Sequence, residues 1–388
     1  MKSLSKVAKN LTGQPMFHLL SKAREMERTG KRIIHFEIGD PDFESPRQAI
    51  EATKKALDEN FTHYTDSMGL LEFREEVCKY TDKYWGFKPS INQIIECPAN
   101  TIIDFTIRCA VNPGEEIIYP DPGFSTYYSA IRYNGMIPVG VQLKEENGFQ
   151  MNPDDVRKKI TDNTRLIILN TPNNPTGSTM IEKEVLEIAK IAEENDLYLL
   201  SDEVYARIIF DKTHYSPSIM DKCKERCIIL NSLSKAYSMS GWRLGYAVGP
   251  DELIEKINLL LQTIISCQPA FTQIGGIAAL QDIQFITKMV TKLRGRRDIL
   301  IKGINNIPEL SCKTPEGSFY AFVNIKGSGM NSDTYAGKLL QDTGVCVLPG
   351  NCFGQYGEGY VRLCYASTSI NIIKDALYKI EKFHESLT

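Results

Sequence analysis

No apolar run in this sequence is long enough to span a bilayer. The opening segment, MKSLSKVAKNLTGQ, lacks the apolar stretch of a secretory signal peptide. The N-glycosylation triplets at Asn10 and Asn60 are therefore read as chance matches. A charge imbalance is also missing: 45 basic against 48 acidic side chains leave a formal net charge of -3. Such a chain has no electrostatic case for binding nucleic acid or an anionic membrane. None of the 10 cysteines forms a C-x-x-C pair, and the two nearest in sequence are Cys223 and Cys227. A disulfide scaffold would be shorter and denser, and a zinc site would show paired spacing. Free thiols in a reducing cytoplasm, with no metal, are the expectation. Internal repeats, low-complexity tracts and linkers rich in Gly, Pro or Ser are absent too, so any domains share one compact body.

What is present is an ordinary soluble composition, 42% hydrophobic and 24% charged, over 388 residues. That length exceeds what one core usually holds, so one larger and one smaller domain are expected. A helix is expected from about Met16 to Thr29, then a short apolar stretch (Arg32 to Ile38) and the loop GDPDFESP. Pro46 opens a helix through Leu57. In the middle of the chain, apolar strands alternate with helices. Arg165 to Asn170 ends in the turn TPNNPTG. A helical period follows in Ile181, Val185, Ile188, Ala189 and Ala192. Leu197 to Leu200 ends in SDE, and Cys227 to Leu230 ends in NSLSK. This pattern predicts an α/β fold with a mostly parallel sheet covered by helices on both faces. Further on, a long helical region covers Asp251 to Leu293. Strands at Phe319 to Ile325, Val345 to Leu348 and Tyr360 to Tyr365 suggest a smaller α+β part.

Ligands of open α/β sheets sit beyond the carboxyl ends of the strands. Three such ends here carry unusual chemistry. The first brings Asn173 and Asn174, the second Asp202 and Tyr205, the third Ser232, Ser234 and Lys235. A lysine amine can form a Schiff base with an aldehyde cofactor. Asp202 would then keep a pyridine nitrogen protonated, which makes the ring an electron sink. Asn174 and Tyr205 could hydrogen-bond the ring's phenolic oxygen, while Ser232, Ser234 and Arg243 could hold a phosphate. Taken singly, each has an ordinary explanation: a solvated lysine, an aspartate helix cap, a turn built of Asn, Pro and Gly. Their conjunction, in this order and at strand ends, is what points to pyridoxal 5'-phosphate.

Carrying NNPTG, SDEVY and SLSKAYSMSGWRLGY in that order, the chain resembles the class I and II aminotransferases, the fold-type I pyridoxal-phosphate enzymes, from about Gly39 to Ala366. The resemblance implies a large α/β/α sheet domain over 46–284 and a smaller α+β domain made of 1–45 and 285–388. It implies Lys235 as the Schiff-base lysine, Asp202 as the pyridine partner, and Asn174 and Tyr205 as the ring-oxygen partners. Arg243 and Ser232 fall at the family's phosphate-binding positions. Within YPDPGFSTYY it points to Phe124 as the aromatic that stacks on the ring. In EGYVRLCYA it points to Arg362 as the ligand of the substrate carboxylate, which the backbone at Gly39 also approaches. Tyr64 matches a tyrosine that reaches the phosphate of the neighbouring subunit, so a homodimer with shared active sites is implied.

One segment departs from the family pattern. Its phosphate cradle reads Cys97-Pro98-Ala99-Asn100-Thr101, where Gly, Ser or Thr is usual. A helix starting near Thr101 would still offer N–H groups to phosphate, with Ala99 and Asn100 at its edge. Asn100 stands where some aspartate-specific relatives carry lysine, and TIISCQPAFTQ has no basic residue for a distal carboxylate. The reaction implied is ping-pong transfer of an amino group between an amino acid and a 2-oxo acid, in amino-acid metabolism. Decarboxylases and lyases use the same fold and cofactor, and no residue in the sequence separates them. Two other classes have thin support. Ser232-Leu233-Ser234-Lys235 fits the S-x-x-K pattern of penicillin-recognising enzymes, but Lys313-Thr314 is followed by Pro315 instead of Gly. A silent regulatory module would add a DNA-binding extension, and no such basic extension is expected from this sequence.

Overall fold

The computed structural model describes residues 2–387 except 12 and 14. The triplet that begins at Asn10 ends on Thr12, which lies outside the described residues. Twelve strands form three sheets among the described residues: β1 (Ile34–His35), β2 (Ile94–Glu96), β3 (Glu116–Asp121), β4 (Ile137–Gln142), β5 (Thr164–Asn170), β6 (Tyr198–Asp202), β7 (Cys227–Ser232), β8 (Gly245–Val248), β9 (Tyr320–Asn324), β10 (Val345–Cys346), β11 (Leu348–Pro349) and β12 (Tyr360–Cys364).

The main sheet has the order β2-β8-β7-β6-β5-β3-β4. Its neighbours pair in parallel from β4 through β3, β5 and β6 to β7, while β8 pairs antiparallel with both β7 and β2. Strands β5, β6 and β7 are buried almost throughout, as near-continuous apolar runs require when helices cover both faces. Alternation along β5 shows the two faces. Leu166 and Ile168 join a core with Ile102, Phe105, Ile131 and Ile254 from the helices Ala99–Ala110, Ser125–Tyr133 and Asp251–Ile264. Ile167 and Leu169 face the other way, against Val185, Ile188 and Ala192 of the helix Glu182–Glu194.

The chain order reverses between β3 and β5, so a crevice opens at the carboxyl ends of β5, β6 and β7. It is closed from the other side by the C-terminal part. There β11, β12 and β9 form an antiparallel sheet, backed by the helices Ile283–Asn305, Ser332–Thr343 and Ile370–Glu385. The N-terminal segment joins this part. Strand β1 pairs in parallel with β10 (Ile34 with Val345, His35 with Cys346), and Ala23 of the helix Pro15–Arg28 packs with Ile33, Leu340 and Cys346.

Three expectations are corrected by the structure. The helical region from Asp251 is not continuous. It consists of the helices Asp251–Ile264, Ala270–Gln281 and Ile283–Asn305. Pro269 sits at the cap before the second, and the Asp282 carboxylate accepts the N–H of Phe285 at 3.1 Å to start the third. The strand expected over 345–348 is two short ones that join different sheets. The cradle helix starts at Ala99 and not near Thr101, with Pro98 in the cap position, where a missing N–H breaks no helical bond. No helix is long and apolar enough to cross a membrane among the described residues.

Candidate active site

Lys235 lies three residues past the end of β7, in the short helix Leu233–Ala236. Ser232 caps that helix, its hydroxyl accepting the N–H of Ser234 at 3.1 Å and meeting the Ser234 hydroxyl at 2.9 Å. The cap turns the chain sharply at the sheet edge and aims the lysine into the crevice. The Lys235 amine donates to the carbonyl of Gly39 at 2.7 Å. Burial pulls its pKa down, against a weaker upward pull from Asp40. Gly39 must be glycine for a steric reason: a Cβ there would sit 2.0 Å from the Tyr320 hydroxyl.

Asp202 ends β6 and is buried. Its carboxylate accepts from the Tyr127 hydroxyl at 2.5 Å and from the Val204 N–H at 3.3 Å. Desolvation pushes the carboxyl up to about 6, the Tyr127 bond opposing it. Among the described residues no cation pairs with it. Asn170, at the end of β5, donates to the Asp202 carbonyl at 3.1 Å and accepts the Asn174 N–H at 2.9 Å. It thereby locks the NNPTG turn to the neighbouring strand.

Arg362 projects from β12 with 1% exposure. Its two terminal nitrogens donate to the Asn174 side-chain oxygen at 3.0 Å and to the Glu37 carbonyl at 2.6 Å, and its Nε has no partner. The guanidinium lies over the rings of Tyr320 (4.3 Å) and Phe353 (4.8 Å). No carboxylate pairs with it among the described residues, which leaves a buried charge short of a counter-ion. Tyr205 and Tyr320 share a hydroxyl–hydroxyl bond of 2.9 Å.

These residues surround one cavity of about 680 Å³. Gly39, Ala99, Asn100, Phe124, Asn174, Asp202, Tyr205, Ser232, Ser234, Lys235, Arg243 and Arg362, all singled out in the sequence, line it. Arg243 is at its exposed rim, with a left-handed backbone (φ 59°) and a bond to the Ser240 carbonyl at 2.8 Å. Phe124 meets Tyr127 edge to face at 5.7 Å. Tyr64 is the exception: it is 88% exposed and sits beside a different hollow with Cys267 and Phe271.

Sequence reasoning missed Tyr127, Tyr320, Asn170 and the contribution of the helix Pro15–Arg28, which brings Phe17, Leu20 and Arg24 to the cavity. Tyr127 had a usable signal: it stands one helical turn after Phe124, so both face the sheet. Elsewhere, Asp221, Cys223 and Cys227 are the one group with metal-ligating atoms close together among the described residues. The Asp221 carboxylate is already taken by the N–H groups of Cys223, Glu225, Arg226 and Cys227, so it serves as a loop anchor. No disulfide links any of the 10 cysteines.

Comparisons with known proteins point the same way. The family described as aminotransferase class I and II matches residues 31–380. An aspartate aminotransferase of Pyrococcus horikoshii is 39% identical, over 93% of this chain and 94% of its own length. An aromatic-amino-acid aminotransferase of Thermococcus litoralis is 37% identical, over 90% and 91%. Among solved structures, an alanine aminotransferase from Pyrococcus furiosus matches with a TM-score of 0.94, 32% identity and coverage of 99% and 100%. An aspartate aminotransferase from Thermus thermophilus with maleate gives 0.94, 29% identity, 98% and 100%.

Proposed function

The chain belongs to the class I and II aminotransferase family and is an aminotransferase, and from that premise we propose that it works with pyridoxal 5'-phosphate held on Lys235. One observation carries this: a buried carboxylate with no cation beside it (Asp202) and a buried guanidinium with no carboxylate beside it (Arg362), both among the described residues, line the same cavity as Lys235. The cofactor's pyridine nitrogen and a substrate carboxylate are the two missing partners. The rest of the lining fits the same group. Ser232, Ser234, Arg243 and the free first-turn N–H groups of Ala99 and Asn100 would hold the phosphate. Phe124 would cover the ring face, and Asn174 and Tyr205 would bond its oxygen. When bound, pyridoxal phosphate supplies an electron sink that acidifies the Cα proton of an amino acid.

The protein's own groups do the rest. Arg362 and Asn174 bind and orient the α-carboxylate. Lys235 Nζ takes the Cα proton as general base and holds it for return in the second proton transfer, and its lowered pKa keeps a larger neutral fraction available. Tyr320 holds Tyr205 in place through their shared bond. The same residues serve both half-reactions, so amino donor and 2-oxo acid acceptor alternate in ping-pong order.

We assign residues 46–284 to a large cofactor-binding domain and 1–45 with 285–388 to a small one. The working form in this reading is a homodimer in which Tyr64 reaches the partner's cofactor phosphate. Its support is the exposure of Tyr64, at a hollow it shares with Cys267 and Phe271. Ten cysteines without a disulfide support the cytoplasm as the compartment, with a role in amino-acid metabolism.

The test is the visible spectrum of the cofactor-loaded protein, before and after adding single amino acids, with 2-oxo acid measured in the products. A yellow band that bleaches with stoichiometric 2-oxo acid is the expected result. Carbon dioxide without 2-oxo acid, or no band after loading, would overturn the proposal.

A further inference from the structure

Asp121 closes β3 and is buried, yet no cation pairs with it among the described residues. Its partners are backbone N–H groups from far along the chain. The Tyr356 N–H donates to its Oδ1 at 3.2 Å, and the Gln355 N–H also bonds to it. These two residues open the short turn Gln355–Gly357, in the loop between β11 and β12. A second link runs beside the first: the Gly123 N–H donates to the Phe353 carbonyl at 2.8 Å. Gly354 lies between the two links, and the carboxylate dictates its identity. Its backbone is left-handed (φ 127°), and a Cβ there would sit 2.1 Å from Asp121 Oδ1. One carboxylate of the main sheet thus clasps a loop of the second sheet.

That loop carries Phe353. Its ring is buried, meets Phe322 edge to face at 6.3 Å and lies 4.8 Å from the Arg362 guanidinium. A ring over a guanidinium attracts it and keeps water off that face. With water excluded, the pair that Arg362 forms with a carboxylate is stronger. Asp121 itself does not line the cavity that holds Lys235 and Arg362. It lines a separate hollow of about 620 Å³, with Phe124 and Phe353 in the shared wall. The other titratable groups around that hollow are Tyr119, Tyr128, Lys159, Cys352 and Tyr356, and among the described residues none of their side chains bonds to the Asp121 carboxylate.

We propose that Asp121 is a positioning residue for the substrate's α-carboxylate: it holds the loop Gly350–Gly357 so that Phe353 stays seated on Arg362. This inference rests on the proposed function, which gives Arg362 the carboxylate and uses Asp121 in no step. Asp121 acts through Phe353 alone. Because every amino donor has an α-carboxylate, the effect is the same for acidic, aromatic and small donors. An ionised carboxylate accepts N–H groups more strongly than a neutral carboxyl. Burial pushes the Asp121 carboxyl up to about 6, against the pull of its two N–H bonds. The grip is therefore full above that pH and slackens as pH falls through it.

The test uses holoenzyme at saturating pyridoxal 5'-phosphate, with the amino donor that bleaches the cofactor band most strongly. Parent, Asp121→Asn, Phe353→Leu and the double variant are compared for KM and kcat. Loss of the ring–guanidinium contact should raise KM by about 3- to 30-fold in either single variant, with a smaller change in kcat. The double variant should be no worse than the poorer single one, since both changes remove the same contact. The parent's KM should also rise as pH falls through about 6 while the cofactor band stays full, and Phe353→Leu should lack that step. Any of four results would overturn the inference and leave the proposed function standing: an unchanged KM in Asp121→Asn, effects that multiply in the double variant, a parent without the pH step, or a step that survives in Phe353→Leu. The last two decide even if Asp121→Asn does not fold. A parent enzyme with no spectral response to any donor would instead overturn that function, and this inference with it.

Discussion

Tyr127→Phe removes one oxygen atom from the centre of the site and tests whether Asp202 works as a charged group. The Tyr127 hydroxyl donates to Asp202 at 2.5 Å, and the carboxylate's other donor is the Val204 N–H at 3.3 Å. Burial raises the Asp202 pKa to about 6, and the tyrosine bond is the largest effect holding it down. A hydrogen bond to a charged group contributes about 1.5–3 kcal/mol, so its loss carries the carboxyl to about 7–8. The sign follows from which form the cofactor needs. A protonated pyridine nitrogen pairs only with the ionised carboxylate, so affinity is present above the Asp202 pKa and is lost as pH falls through it. In the parent apoenzyme, pyridoxal-phosphate affinity should weaken below about pH 6. In the variant the same weakening should begin about one to two pH units higher. Titration of apoenzyme with cofactor from pH 5 to 9, followed by visible absorbance, reads both midpoints. A variant midpoint equal to or below the parent's would refute the reasoning, because it would mean that Tyr127 does not stabilise the charged form.

Other expectations come from the same geometry. Arg362→Lys keeps the charge but cannot make both bonds to Asn174 and Glu37. Steady-state assays should show kcat/KM down by roughly 100-fold or more for every donor, mainly through KM; a change under about threefold would refute the carboxylate role. Gly39→Ala drives a methyl group into the Tyr320 hydroxyl. It should cost about 1–3 kcal/mol in thermal or denaturant unfolding, and an unchanged Tm would show that Tyr320 can move aside freely. His35 is raised to about 9 by Glu37 and Glu27. Its contribution is full below the unfolded value near 6.5 and is lost as pH rises through about 9. Parent stability should therefore fall between those limits, by about 1 kcal/mol after solvent screening, and His35→Gln should flatten the profile. Mixing Lys235→Ala with Tyr64→Ala protein should restore about a quarter of the parent's sites if Tyr64 acts across a dimer, and none if it acts within one chain.

Much of the site was legible because its residues stand at strand ends. The apolar runs of β5, β6 and β7 mark the sheet, and the first polar residues after each run must emerge at the same rim. Asn174, Asp202 and Lys235 could thus be grouped from the sequence alone. Arg362 and Phe124 were reached through family resemblance, since one strand arginine or one helix-capping phenylalanine carries no distinctive pattern. Tyr127, Tyr320 and Arg24 were not reached at all. Each comes to the cavity through tertiary packing: a helix laid across the sheet, the second sheet closing over Gly39, and an N-terminal helix folded back onto the C-terminal part. Helix ends were missed for local reasons. Pro98 reads as a breaker, yet in the cap position it starts a helix, and Asp282 interrupts a helical period that apolar spacing alone makes continuous.

The most direct test of the central assignment is chemical. The protein is loaded with pyridoxal 5'-phosphate, reduced with borohydride, digested and mapped by mass spectrometry. The pyridoxyl group is expected on Lys235, in the peptide spanning SLSKAYSM, and should disappear in Lys235→Ala. A label on another lysine, or no label on a protein that still transaminates, would contradict the assignment.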